Sequence, residues 1–123
     1  NMVGALAGYV VWKRYGGASI FKTYPDGSYV WPPPFREQIV WRLARCFRRD
    51  ASMFYGVRYF LVPRSNFGYV PNGGIVVARY FRRGRTIALV PSSYEDPATV
   101  EHELRHRIAE RGHPAAVFEK ECP

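Results

Sequence analysis

The apolar residues of this chain repeat in two rhythms. In "FREQIVWRLARCFRRD", from Phe35 to Asp50, Ile39, Leu43, Cys46 and Phe47 recur at three- and four-residue steps, with arginines filling much of the remainder. That is a helical period, and it predicts a first helix with one face in the core. "VRYFLVP" (Val57–Pro63) is instead rich in branched and aromatic residues and predicts a strand. "RSNFGYVPNGG" reads as a loop, and "IVVARYF" and "RTIALVP" around "RRG" read as an antiparallel hairpin. The helical rhythm returns after "SSYEDP". Asp96 suits the N-cap and Pro97 the first helical position, so a helix is expected from there to about Arg111. Val100, Leu104 and Ile108 form its core stripe. Gly112 can stop it in a left-handed conformation, and His113-Pro114 forbids simple continuation. A short terminal helix is expected from Pro114 to about Glu121.

The first third of the chain is less regular. Residues 1–24 are apolar with a "YGG" interruption and read as short extended pieces. "YPDGSYVWPPP" (Tyr24–Pro34) is a turn followed by a polyproline-like arm, expected to strap across its own domain. The element order is that of a single α+β domain over residues 1–123. It has a small antiparallel sheet, a long helix in the N-terminal half and a helix near the C-terminus. Residues 1–34 form the arm and residues 35–123 the core.

Composition adds a charge. The 123 residues carry 18 Lys and Arg against 10 Asp and Glu, a net charge of +8, with 47% hydrophobic residues to build a core. No run of like charges marks a disordered tail. The excess suits an acidic partner, whether nucleic acid, anionic lipid, a cell-wall polymer or an acidic protein. Met2–Trp12 is apolar but too short to span a bilayer. Cys46 and Cys122 lack the Cys-x-x-Cys spacing of a zinc ribbon. A bridge between them would tie the C-terminus to the first helix and imply an oxidising compartment; two buried thiols are the alternative.

All three histidines lie between His102 and His113. His102, Glu103 and His106 spell H-E-x-x-H on a predicted helix. Residues four apart share a helical face, so His102 and His106 can reach one ion. Glu103 falls beside that ion, where it can take a proton from water activated by zinc. His113, after the Gly112 turn, is the expected third ligand, with Glu119 as the alternative. Tyr94, Arg105 and Tyr80 are candidates to stabilise the transition state, Tyr94 foremost. Phe118 is expected to pack under the His113 turn. The segment also reads as a helix laced with Glu101–Arg105 and Glu103–Arg107 pairs, the second of which would compete with a role for Glu103 as base. The metzincin spacing is excluded, because Ala109 stands where its glycine belongs and His113 falls one residue late.

"HELRH…GHPAAVF" resembles the zinc-site segment of small single-domain H-E-x-x-H peptidases of the minigluzincin and SprT-like type. A wider pattern, seen in small bacterial proteins that often carry export signals, is similar from about Tyr24 to Cys122. Its pieces here are "WPPPFREQIVWRLARC", "VRYFLVP", "RTIALVP" and "VEHELRHRIAERGHPAAVFEKEC". Arg105 and Arg107 depart from it, standing where such proteins often carry smaller or apolar residues. The resemblance implies zinc on His102, His106 and His113, Glu103 as general base, and a Cys46–Cys122 bridge. The expected function is a zinc-dependent metalloendopeptidase, exported if the bridge forms and cytoplasmic otherwise. An extended peptide or protein substrate would pair along an edge strand within Ile75–Val90. Two other classes fit the residues: a nucleic-acid or polyanion module using "RYFRRGR" and "RCFRRD", and a structural zinc protein without catalysis.

Overall fold

The computed structural model describes residues 17–63 and 76–123. Helix α1 (Gly17–Thr23) leads into strand β1 (Ser28–Val30); α2 (Arg36–Phe47) and the short α3 (Ser52–Tyr55) precede β2 (Arg58–Leu61). The hairpin β3 (Ala78–Phe81) and β4 (Thr86–Leu89) follows, then α4 (Pro91–Tyr94), α5 (Pro97–Ala109) and α6 (Ala115–Phe118). The α+β class is as expected from the sequence.

The sheet runs β1-β2-β4-β3. Its outer pairs are antiparallel, while β2 and β4 are parallel, with Tyr59 opposite Ile87. The sheet is therefore mixed, where the sequence reading expected an antiparallel one. The cause lies in the two hairpin strands. Every residue of β4 is buried, whereas β3 carries the exposed Arg79. A strand buried on both faces belongs at the centre of a sheet and an arginine-bearing one at its edge. Placing β4 inward sets it beside β2 in the same direction.

Alternation along the strands divides the core in two. Tyr59, Ile87 and Leu89 face α2, α3 and α5, packing with Ile39, Leu43, Phe54, Val100 and Leu104. Phe60, Val62 and Ala88 face the other way, onto Ile20 and Tyr24. Phe21 and Tyr29 each meet the Phe60 ring edge-on, with centroids 5.1 Å away. Gly27 crosses close over this cluster, and a Cβ there would collide with the Phe60 ring.

Two readings of the first third are corrected. Residues 17–23 are helical rather than extended, because Ile20 and Tyr24, four apart, share the helical face that covers the sheet. The segment read as a strap is partly sheet, since Ser28–Val30 pairs with β2. Beyond it, the Trp31 carbonyl accepts a hydrogen bond from the Tyr94 hydroxyl at 2.7 Å. The extended pieces expected before residue 17, and the loop expected over 64–74, lie outside the described residues.

Cys46 of α2 is disulfide-bonded to Cys122, 76 residues away, with Cα atoms 5.5 Å apart. Among the described residues, no helix is long and apolar enough to cross a membrane.

Candidate metal centre

Asp96 caps α5 as expected, accepting from the Ala98 amide at 3.2 Å and the Thr99 hydroxyl at 2.6 Å. The helix ends at Ala109, and the chain then turns through positive φ at Glu110 (68°) and Gly112 (65°). Only glycine takes that region at no steric cost, which accounts for residue 112. The turn delivers His113 back to the helix it has left.

His102 and His106 project from one face of α5, their ring centroids 5.3 Å apart. The His113 ring lies 5.2 Å from the first and 4.7 Å from the second. One nitrogen from each ring can be chosen so that all three lie within 4.8 Å of one another, close enough to hold one metal ion. Three imidazoles that leave a fourth position open are a donor set of the kind zinc takes. Glu119, the alternative third ligand, is not part of this cluster.

Phe118 of α6 packs against all three rings, with centroids 4.9, 4.6 and 4.7 Å from His102, His106 and His113. Tyr80 of β3 stacks on His106 at 6.0 Å and 8° between planes. The site thus has an apolar wall from α6 and an aromatic wall from the sheet edge.

The electrostatics favour uncharged rings at His102 and His106. Burial, then the charges of His113 and His102, push His106 down to about 4. Burial, then His113 and Arg105, also lower His102. Neutral imidazole is the form that binds metal. Glu103 is buried at 6% exposure, with Oε2 4.0 Å from His102 Nε2, and burial pushes its carboxyl up to about 7. The feared Glu103–Arg107 pair does not form: Arg107 donates to the Met53 carbonyl and pairs with Glu110 at 3.0 Å.

Beyond its charge, which helps to lower His102, Arg105 works behind the site and not in it. Its guanidinium is buried and donates to the carbonyls of Val117 and Lys120, while Glu101 accepts from it at 2.9 Å. Glu101 also pairs with Arg42 of α2. The segment bearing Phe118 is thereby held to α5 by Arg105 and to α2 by the disulfide. No local pattern announces these carbonyl partners, which stand 12 and 15 residues away. Tyr94 is likewise occupied elsewhere, since its hydroxyl is spent on Trp31. Of the three candidate stabilisers, Tyr80 is the one in contact with a ring of the histidine cluster, that of His106.

Comparison with protein-family models, with curated proteins and with solved structures finds no match to this chain.

Proposed function

We propose that the protein is a zinc-dependent endopeptidase that hydrolyses peptide bonds, with His102, His106 and His113 holding the metal. One observation carries the reading: three histidine nitrogens within 4.8 Å of one another, with the carboxylate of Glu103 buried beside His102. A bound zinc supplies Lewis-acid activation of water and of the scissile carbonyl. Glu103 takes the proton of the attacking water and returns it to the leaving amine. His102, His106 and Phe118 fix the geometry, and Tyr80 forms the wall on the side of β3. An extended peptide lies along β3, the sheet edge nearest the metal ligands. The disulfide supports an oxidising, exported setting.

Elemental analysis tests the metal first. About one zinc per chain is expected, lost in His106→Ala. Glu103→Gln then separates chemistry from structure, because it should keep the metal and stop cleavage of an unfolded protein substrate. Cleavage by that variant at the wild-type rate would remove the base assignment. Retained metal with no cleavage by the wild type would leave a structural zinc protein.

A second reading has its own support. Arg79, Arg82, Arg83 and Arg85 are all exposed on the β3–β4 hairpin, and Arg79 lies over the Phe81 ring at 4.6 Å. Such a face suits nucleic acid or another polyanion, and its affinity should fall steeply with salt.

A further inference from the structure

Helix α2 turns one stripe of side chains away from the core. Trp41, Arg45 and Arg48 follow one another at steps of four and three and are all exposed, as is Arg49 beside them. The opposite stripe, Ile39, Val40, Leu43 and Ala44, is buried. Arg45, Arg48 and Arg49 make no ion pair or side-chain hydrogen bond among the described residues. The acids nearest in sequence are engaged elsewhere. Asp50 accepts from the Ser52 amide at 2.9 Å, and Glu37 accepts from Arg36 at 3.0 Å and from the Tyr55 hydroxyl at 2.8 Å. Lys120 and Glu121, which the disulfide brings to the same end of the helix, carry opposite charges and leave the balance positive.

Trp41 is 58% exposed, yet it is held in place. Its indole reaches the Tyr55 hydroxyl, which is tied in turn to Glu37. Tyr55 is itself exposed beside it. Arg48 adds a second oddity, because it ends α2 at a φ of 52°. That region suits glycine, so an arginine takes it at a conformational cost. A cation near a helix C-terminus is ordinary. An ordered, exposed indole and three unpaired guanidiniums are more than the end of a helix requires.

The geometry points to the surface of an anionic phospholipid bilayer as the partner of this face, with Trp41 and Tyr55 at headgroup level and Arg45, Arg48 and Arg49 on the lipid phosphates. Tryptophan and tyrosine favour that depth because each joins an apolar ring to a polar tip. Nucleic acid suits this face less well. Its bases need open ring faces along a groove, whereas this is the convex side of a helix, and Arg36 Cζ already covers the Tyr55 ring at 4.8 Å. The inference does not depend on the peptidase reading.

The test is co-sedimentation of the disulfide-intact full chain with vesicles of phosphatidylcholine mixed with phosphatidylglycerol, and with vesicles of phosphatidylcholine alone. Binding to the mixed vesicles is expected, about tenfold or more tighter than to the neutral ones, and weakening as salt rises. The triple variant Arg45→Gln, Arg48→Gln, Arg49→Gln should weaken it about tenfold or more. The triple variant Arg79→Gln, Arg82→Gln, Arg83→Gln removes the same charge from the β3–β4 hairpin and should weaken it far less. The blue shift of tryptophan emission on adding mixed vesicles should disappear in Trp41→Phe. Equal binding to the two kinds of vesicle, or none to either, overturns the inference. So does equal loss in the two triple variants, or an unchanged blue shift in Trp41→Phe. Binding of a single-stranded oligonucleotide that the α2 variant loses, without binding to vesicles, would give the face to nucleic acid instead.

Discussion

The Arg105 guanidinium donates to the main-chain carbonyl of Val117, and this bond places the neighbouring Phe118 against three imidazoles. The residue between His102 and His106 is thus a clamp on the segment that follows His113. Its replacement should be felt in two ways. Arg105→Met should cost about 1–2 kcal/mol of stability, because it takes the donor from the part-buried Val117 carbonyl, the Lys120 carbonyl and part of the Glu101 carboxylate. If the three histidines hold zinc, it should also weaken that binding by roughly tenfold, as loss of a supporting contact behind metal ligands does. Urea denaturation and competition with a chelator measure the two effects separately.

The disulfide closes a loop of 76 residues. In the chain-entropy account a loop of that length confers about 4 kcal/mol. The Cys46→Ser, Cys122→Ser double variant should therefore unfold at markedly lower denaturant, and reductant should shift the wild type towards it while leaving the variant unchanged.

Gly27 should tolerate no side chain. The Phe60 ring beneath it is fully buried and has no free direction in which to move. Gly27→Ala should destabilise by about 1–3 kcal/mol through overpacking. The control Gly56→Ala, where a Cβ meets nothing within 4 Å, should lie within about 0.5 kcal/mol of the wild type.

The metal-free chain should show an unusually flat acid limb. His106 is lowered by burial from 6.5 to about 4, so the unfolded chain takes up that proton first, and the associated stability disappears as pH falls from 6.5 through 4. Glu103 is raised by burial from 4.5 to about 7, so its contribution runs the other way: full below 4.5 and lost as pH rises through 7. Between about 4.5 and 6.5 the two slopes oppose. Glu103→Gln removes one of them, and denaturation of the metal-free variant should then show stability falling steadily with acidification across that window.

Local spacing announces the histidine cluster well. Two histidines four apart need only a helix to converge, and the Gly112–Pro114 turn that returns His113 is written in consecutive residues. The sheet was harder to read. Nothing near β4 states that it will lie beside β2, because that choice follows from comparing its burial with that of β3. Strand β1 is three residues long and sits between an Asp-Gly turn and three prolines, so its pairing has almost no signature. Helix α1 hides in an apolar stretch interrupted by glycines. Tyr94 was misread for the same reason as Arg105: each is defined by a carbonyl far away in the chain.

The complete burial of β4 has a consequence before the fold exists. Thr86–Val90 is an uncharged, β-prone stretch that the nascent polypeptide must carry bare until β2, β3 and α5 close around it. Arg82, Arg83 and Arg85 stand directly ahead of it and remain at the surface afterwards. Flanking charges of one sign make such stretches repel their copies. Neutralising these arginines should therefore lower the yield of soluble protein well before it alters the finished structure.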